Sequence, residues 1–181
     1  MAPRLKILYE KNIVTNLSTT LALDRVAAQY GVNVLRTAVG EINVVNKMND
    51  IGSKFGGEGN GGVILRECHL GRDSLVAATM VLNRMSQSPK TLGSIYNTLP
   101  QYKIVKDKVS IDGLDKKQLF NKVSNLFSGT ERNTMDGLKF IWDKKWIHLR
   151  SSNTEPIMRI YAEGTSEKEA EDLIFKVKSL L

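Results

Sequence analysis

The pattern of apolar residues changes character at Pro100, and that change constrains the fold more than any other feature of the chain. Before it, strand-like and helix-like stretches alternate. "NIVTNLSTT" reads as a short strand running into a helix, with Ser18 or Thr19 as N-cap, and Ala22, Leu23, Val26, Ala27 and Tyr30 follow helical spacing until Gly31. "VNVLRT" predicts a strand and "EINVVNKMND" a helix ending near Gly52. "KFGGEGNGGVILRE" predicts two short strands joined by a glycine-rich loop. "RDSLVAATMVLNRMSQ" is apolar on nearly every side and predicts a deeply buried helix, and "TLGSIYNTLP" a short helix closed by Pro100. Strand–helix alternation of this kind argues for an α/β layered domain over residues 1–99.

After Pro100 the order is different. "QYKIVKDKVSI" predicts a strand and Lys116 to Phe127 a helix. Three strands follow, in "LKFIWD", "KWIHLR" and "IMRIYAEG". Leu138, Phe140 and Trp142 alternate onto one face, as do Met158, Ile160 and Ala162. A last helix has Ser166 as N-cap and an apolar face of Ala170, Leu173, Ile174, Val177 and Leu181. Residues 100–181 are therefore expected to form an α+β domain, an antiparallel sheet with helices on one face.

Composition narrows the function. The net charge is +7, with 11 Lys+Arg against 7 Asp+Glu up to residue 100 and 15 against 12 beyond it. Basic residues this evenly spread make no patch of the kind nucleic acid requires, and no helix-turn-helix, zinc or RNP-type motif is present. Cys68 is the single cysteine, so an intramolecular disulfide is impossible and a reducing compartment is expected. No apolar run approaches a membrane span, and "MAPRLKILYEKN" lacks the apolar stretch of a signal peptide, which makes a cytoplasmic location the expectation. His69 and His148 have no second ligand nearby, and no metal site is expected in this chain.

Two loops carry unusual chemistry. "GGEGNGG" holds five glycines with Glu58 and Asn60 between them. A carboxylate accepts two hydroxyl hydrogen bonds and an amide both donates and accepts, which suits vicinal hydroxyls of a sugar. A hairpin turn with solvated side chains explains the same residues. "HLRSSNTEP" offers the Arg150 guanidinium, the Ser152 and Thr154 hydroxyls and the Asn153 amide within five residues, a set suited to an anion. A turn in which Ser and Asn bond their own backbone is the alternative.

Taken together the two loops resemble those of the α-D-phosphohexomutases. "RSSNTEP" is similar to their R-x-S-[NG]-T-E-P phosphate-binding loop and "GGEGNGG" to their sugar loop, commonly G-E-x-S-G. "NIVTNLSTT…RTAVGEINVVNKM", "RDSLVAATMVL" and "LPQY" resemble neighbouring segments, in the family's order, most like the phosphomannomutase/phosphoglucosamine mutase branch. The resemblance implies domains three and four of a four-domain enzyme. That enzyme interconverts hexose 1-phosphate and 6-phosphate with a phosphoserine and Mg²⁺. It implies Glu58 and Asn60 on the sugar hydroxyls and Glu41 near the sugar. It places Arg150, Ser152, Asn153 and Thr154 on the non-reacting phosphate.

The chain has no Ser-His dipeptide and no D-x-D; Asp112 and Asp115 are the nearest approach. The phosphoserine and the Mg²⁺ loop are thus expected elsewhere. This chain is expected to carry no catalytic residue, to bind a hexose or hexosamine phosphate, and to be inactive alone. It would serve as a fragment or as a phosphosugar-binding subunit completed by a separate N-terminal chain. Neither loop distinguishes the C2 substituents of mannose, glucose and glucosamine.

Overall fold

A computed structural model describes residues 11–152 and 155–181. The chain divides into two compact units, 1–101 and 102–181.

In the first unit the strands β1 (Asn12–Asn16), β2 (Asn33–Thr37), β3 (Phe55–Glu58) and β4 (Gly62–Leu65) form one sheet in the order β2-β1-β3-β4. β1 pairs in parallel with β2 and with β3, while β3 and β4 are an antiparallel hairpin. Helix α1 (Ala22–Gln29) links β1 to β2, and α2 (Glu41–Ile51) links β2 back to β3 on the far side of β1. The two crossovers run in opposite directions along the sheet. Right-handed connection therefore puts their helices on opposite faces and makes β1/β3 the point where the topology reverses. Val14 of β1, Val44 and Met48 of α2 and Ile64 of β4 are the fully buried centre of this unit.

Two expectations fail here, for separate reasons. Neither Ser18 nor Thr19 caps α1: its N-cap is Leu21, without a side-chain bond, and the Thr20 hydroxyl receives the Ala22 N–H instead. The guanidinium of Arg36 gathers the carbonyls of Asn16, Thr19 and Thr20 and the Asp24 carboxylate, so residues 16–20 form a fixed loop rather than a helix start. The second failure is α3 (Ser74–Ser86), expected to be deeply buried. It buries no residue, and Leu75 and Leu82 are 77% and 63% exposed. It rests on β4 at the edge of the sheet and is started by the Asp73 side chain, which accepts the Leu75 and Val76 N–H groups. The short α4 (Leu92–Tyr96), capped by Thr91, is also exposed except at the half-buried Ile95.

In the second unit β5 (Lys103–Ser110), β6 (Glu131–Asn133), β7 (Leu138–Ile141), β8 (Trp146–Ser151) and β9 (Ile157–Gly164) form an antiparallel sheet in the order β5-β9-β8-β7-β6. Helices α5 (Lys116–Leu126) and α6 (Glu167–Lys178) place Leu119, Val123, Ala170, Leu173, Ile174 and Val177 in one cluster with the inward residues of β7, β8 and β9. Each fully buried Leu, Ile or Val among them contributes about 1.5–3 kcal/mol, and this cluster is the larger core of the two. The α/β layered unit followed by the α+β unit is the expected fold class. Ser166 caps α6 as expected, accepting the Glu169 N–H. Leu181 lies past the helix end, 45% exposed, and does not join its apolar face. β6 was not anticipated, since "ERN" has no apolar alternation to announce it.

The helix-free face of this sheet is not simply polar. Trp146, Lys139, His148 and Glu163 are all at most 2% exposed. The Trp146 indole N–H donates to Glu163 Oε2 at 2.8 Å, and Lys139 Nζ stands 4.4 Å from the indole centroid. Among the described residues no helix is long and apolar enough to cross a membrane.

Candidate functional site

The parallel strands β1 and β3 end side by side, and in open α/β sheets ligands bind outside such carboxyl ends where the topology reverses. Asn16 and Glu58 are the last residues of these strands. Asn16 Nδ2 donates to Glu58 Oε1 at 2.8 Å, and the Gly40 N–H, at the N-cap of α2, reaches the same oxygen at 3.2 Å. Asn16 is itself fixed, because its Oδ1 accepts from the Ser18 N–H and the Thr19 hydroxyl. The Glu58 side chain is only 5% exposed, and Oε2 faces Arg72 Nη1 at 3.3 Å. Arg72 also donates from Nε to Glu41 Oε2 at 2.5 Å, and this bond holds the Glu41 carboxyl below the ordinary carboxylate range.

The glycines of the loop have a different use from the one their number suggests. A Cβ on Gly56 would lie 2.5 Å from Met48 Sδ, on Gly57 2.4 Å from the Gly62 carbonyl oxygen, and on Gly62 2.1 Å from Arg72 Cδ. Neighbouring protein atoms occupy the space that side chains would need. Gly61 alone in the loop takes a left-handed conformation, φ +92°, to close the hairpin.

Glu41 and Asn60 line one open cavity of about 390 Å³ together with Gly61, Gly62, Arg72 and Asp73. Asn60 is exposed, its Oδ1 receiving the Gly62 N–H at 3.4 Å. Glu58 does not line that cavity and is joined to it through Arg72. Arg72 was absent from the candidates read in the sequence. "GRDS" has no spacing that would single it out, and only the fold brings residue 72 to residues 41 and 58.

In the second unit β8 delivers Arg150 to the helix-free face, since Ile147 and Leu149 point into the core. The turn before β7 supports it. Gly137, at φ +85°, lies so close to β8 that a Cβ would be 2.2 Å from the Leu149 carbonyl oxygen. Asp136 of that turn offers its carboxylate to Arg150 Nη1 at 3.8 Å and its carbonyl to His148 Nε2 at 2.6 Å. Burial lowers the His148 pKa, so the ring is neutral and donates from Nε2. The Ser152 N–H bonds the Ile157 carbonyl at 2.9 Å and closes the loop's base. Asn153 and Thr154 lie outside the described residues.

Arg150 has company that the sequence reading missed. Its register partner on β9 is Arg159, whose partner on β5 is Lys108. Three cations thus stand in one row across adjacent strands, and like charges directly opposite are destabilising without a counter-charge. Arg159 has Glu155 at 4.0 Å, and a cavity of about 380 Å³ beside it is lined also by Lys106, Lys108 and Tyr161. The alternation that sent Met158, Ile160 and Ala162 inward already implied that Arg159 faces the other way.

Comparison with known proteins agrees with both units. Residues 3–102 match the family description "Phosphoglucomutase/phosphomannomutase, alpha/beta/alpha domain III", and residues 105–178 match "Phosphoglucomutase/phosphomannomutase, C-terminal domain". A phosphoglucomutase/phosphomannomutase of Thermococcus kodakarensis is 35% identical over 164 residues, covering 90% of this chain and 36% of that protein. A phosphoglucosamine mutase of Methanococcus maripaludis is 32% identical over 90% of this chain and 37% of its own length. The crystal structure of a phosphoglucomutase/phosphomannomutase family protein from Burkholderia thailandensis superposes with a TM-score of 0.77 at 22% identity, over 94% of this chain and 37% of that one. An Aspergillus fumigatus N-acetylphosphoglucosamine mutase, solved with GlcNAc-6P and magnesium, shares the fold with a TM-score of 0.63 at 14% identity, over 92% of this chain and 40% of that one. The chain spans a little over a third of the length of these relatives, and the part it spans corresponds to domain III and the C-terminal domain of the family descriptions. The chain belongs to the phosphoglucomutase/phosphomannomutase family.

Proposed function

We propose that this chain supplies the sugar- and phosphate-holding portion of a phosphohexomutase. Glu58, Glu41 and Asn60 receive hydroxyls of a hexose or hexosamine. Arg150 and Ser152, with Asn153 and Thr154 of the same loop, hold the phosphate that does not react, and Arg159 and Lys108 extend the positive surface beside Arg150. The observation that carries the reading is the fixing of Glu58 at the carboxyl ends of β1 and β3 by Asn16 and the Gly40 N–H. A carboxylate held so firmly at that place is a preorganised acceptor, and holding a substrate at both ends is catalysis by orientation.

The isomerisation itself, hexose 1-phosphate to 6-phosphate, is assigned to this portion acting with the remainder of the enzyme, in the same polypeptide or a separate one. Transfer needs a phosphoryl carrier and a metal such as Mg²⁺. The residues described here do not suit that metal. The Glu41 and Glu58 carboxylates already share the Arg72 guanidinium, and among the described residues no three His, Cys, Asp or Glu side chains gather to ligate an ion. The chain alone is therefore inactive in this reading.

The test is calorimetric titration of the chain with glucose 6-phosphate, mannose 6-phosphate, glucosamine 6-phosphate and inorganic phosphate. Sugar phosphates bind more tightly than phosphate, Arg150→Ala abolishes binding of both, and Ser151→Ala changes little. Equal affinity of the wild type and the Arg150→Ala variant removes the phosphate assignment. Turnover of glucose 1-phosphate by the chain with Mg²⁺ removes the inactivity.

A further inference from the structure

We infer that Arg72 is a positioning residue of the sugar site, holding Glu41 and Glu58 together as a charged pair of hydroxyl acceptors; this rests on the sugar reading proposed above. The guanidinium spans carboxylates from two different elements, Glu41 at the start of α2 through Nε and Glu58 at the end of β3 through Nη1. Its stem crosses the hairpin over Gly62, where a Cβ would come within 2.1 Å of Arg72 Cδ and 2.6 Å of Cγ. The loop glycine is thus a requirement of the arginine's path. The same arginine lines the cavity that Glu41 and Asn60 share.

An ordinary surface ion pair is the competing account, and such pairs stabilise little. Two features set this one apart. One of its carboxylates is 5% exposed, although the arginine itself is 41% exposed. The arginine also serves two acidic groups at once. Without it, two neighbouring carboxylates disfavour each other's ionisation, and one takes up a proton at a higher pH. A protonated carboxyl loses an acceptor and gives weaker, neutral hydrogen bonds to sugar hydroxyls. The other groups around it do not replace it. His69 lies against Gly71 and adds a minor favourable field at Glu41, and the Asp73 carboxylate is engaged by the Leu75 and Val76 N–H groups of α3. Glu58 keeps its bonds to Asn16 and Gly40 on Oε1, so loss of Arg72 frees Oε2 alone.

The experiment titrates the chain and its Arg72→Gln, Arg72→Lys and Glu58→Gln variants with glucose 6-phosphate and with inorganic phosphate between pH 5 and 8. The Glu41 carboxyl is followed by carbon-13 NMR in parallel. The wild type's affinity for the sugar phosphate follows only the ionisation of the ligand's own phosphate, whose second pKa of about 6 lies in this range. Arg72→Gln binds about tenfold more weakly than the wild type at pH 7 and the gap to the wild type widens towards pH 5, while Arg72→Lys, which keeps the charge and loses the planar fork, recovers part of the loss. Inorganic phosphate binds all four proteins alike. The Glu41 titration moves up in Arg72→Gln. The inference is overturned if Glu58→Gln weakens sugar phosphate binding and Arg72→Gln does not, or if the Glu41 titration is the same in both proteins. If the wild type binds glucose 6-phosphate no better than inorganic phosphate, the sugar reading fails first and takes the role of Arg72 with it.

Discussion

The side-chain amide of Asn16 donates to Glu58 Oε1 across 42 residues of sequence, and it ties the last residue of β1 to the last residue of β3. The two strands are parallel neighbours, so their ends meet without any loop having to reach. Glu58 therefore owes its orientation to the sheet and very little to the glycine-rich loop that follows it.

This bond makes the first prediction. Asn16→Ala leaves the buried Glu58 carboxylate short of one donor, which costs about 1–3 kcal/mol. Asn16→Asp is worse at high pH, because two carboxylates then face each other. One proton shared between them relieves the repulsion, so the folded pair has a raised pKa and its stability recovers as pH falls. Both tryptophans lie in the second unit, so the loss is read by hydrogen exchange of β1 and β3 amides and not by fluorescence. An Asn16→Asp protein equally protected at pH 5 and pH 8 contradicts this.

Glycines separate into two kinds by what their missing Cβ would strike. Gly57→Ala pushes a methyl group against the Gly62 carbonyl, part of the hairpin backbone, at 2.4 Å. Gly62→Ala meets Arg72 Cδ and Cγ, which belong to a long side chain able to swing away. The expected costs are about 1–3 kcal/mol for Gly57→Ala and under about 1 kcal/mol for Gly62→Ala. Denaturant unfolding followed by circular dichroism separates them. The reverse order of stability rules out this account of the loop.

The sequence showed most of this fold because the signals were local. Period-two alternation located β7 and β9, and helical spacing located α1 and α6, since each of these elements turns one face inward. It failed where a residue's surroundings come from elsewhere in the chain. The apolar run of α3 was read as burial, yet periodicity cannot say whether anything packs against a helix. Ser18 and Thr19 look like caps by type, but Arg36 and Asn16 recruit their loop for another purpose. Of the candidate residues in the two units, Glu58 and Arg150 were visible through motif resemblance, while Arg72 was not, because its partners are 14 and 31 positions away and fixed by topology alone.

The exposed apolar side of α3 gives a direct check on that misreading. Leu75→Gln and Leu82→Gln remove side chains that are 77% and 63% exposed, and each changes stability by no more than about 0.5 kcal/mol. Met48→Ala, in the fully buried centre of the same unit, costs about 2–5 kcal/mol. Thermal unfolding of the three variants shows whether α3 contributes to the core. A loss of several kcal/mol at Leu82 would restore the buried reading.

Acid weakens the second unit in two separable stages. His148 is buried and its pKa is lowered, so the folded chain keeps it neutral while the unfolded chain takes a proton near its ordinary value of 6.5. The unfolded state then binds the extra proton, and stability falls as pH drops below about 6.5. Glu169 is the second stage. Its carboxylate accepts from Lys145 Nζ and from the Thr165 N–H and hydroxyl, all at 2.9 Å, and its pKa is pushed down to about 2 from 4.5. Its contribution is complete above about 4.5 and is lost as pH falls towards about 2. With the side chain 30% exposed, solvent screens the pair, and the contribution is about 1 kcal/mol. Tryptophan fluorescence reports on this unit, so the midpoint of thermal unfolding should decline in two steps. His148→Gln, which keeps a donor for the Asp136 carbonyl, removes the upper step, and Glu169→Gln removes the lower one while lowering stability at pH 7. A Glu169→Gln protein with the wild-type acid profile would show that the lower step arises elsewhere in the sheet.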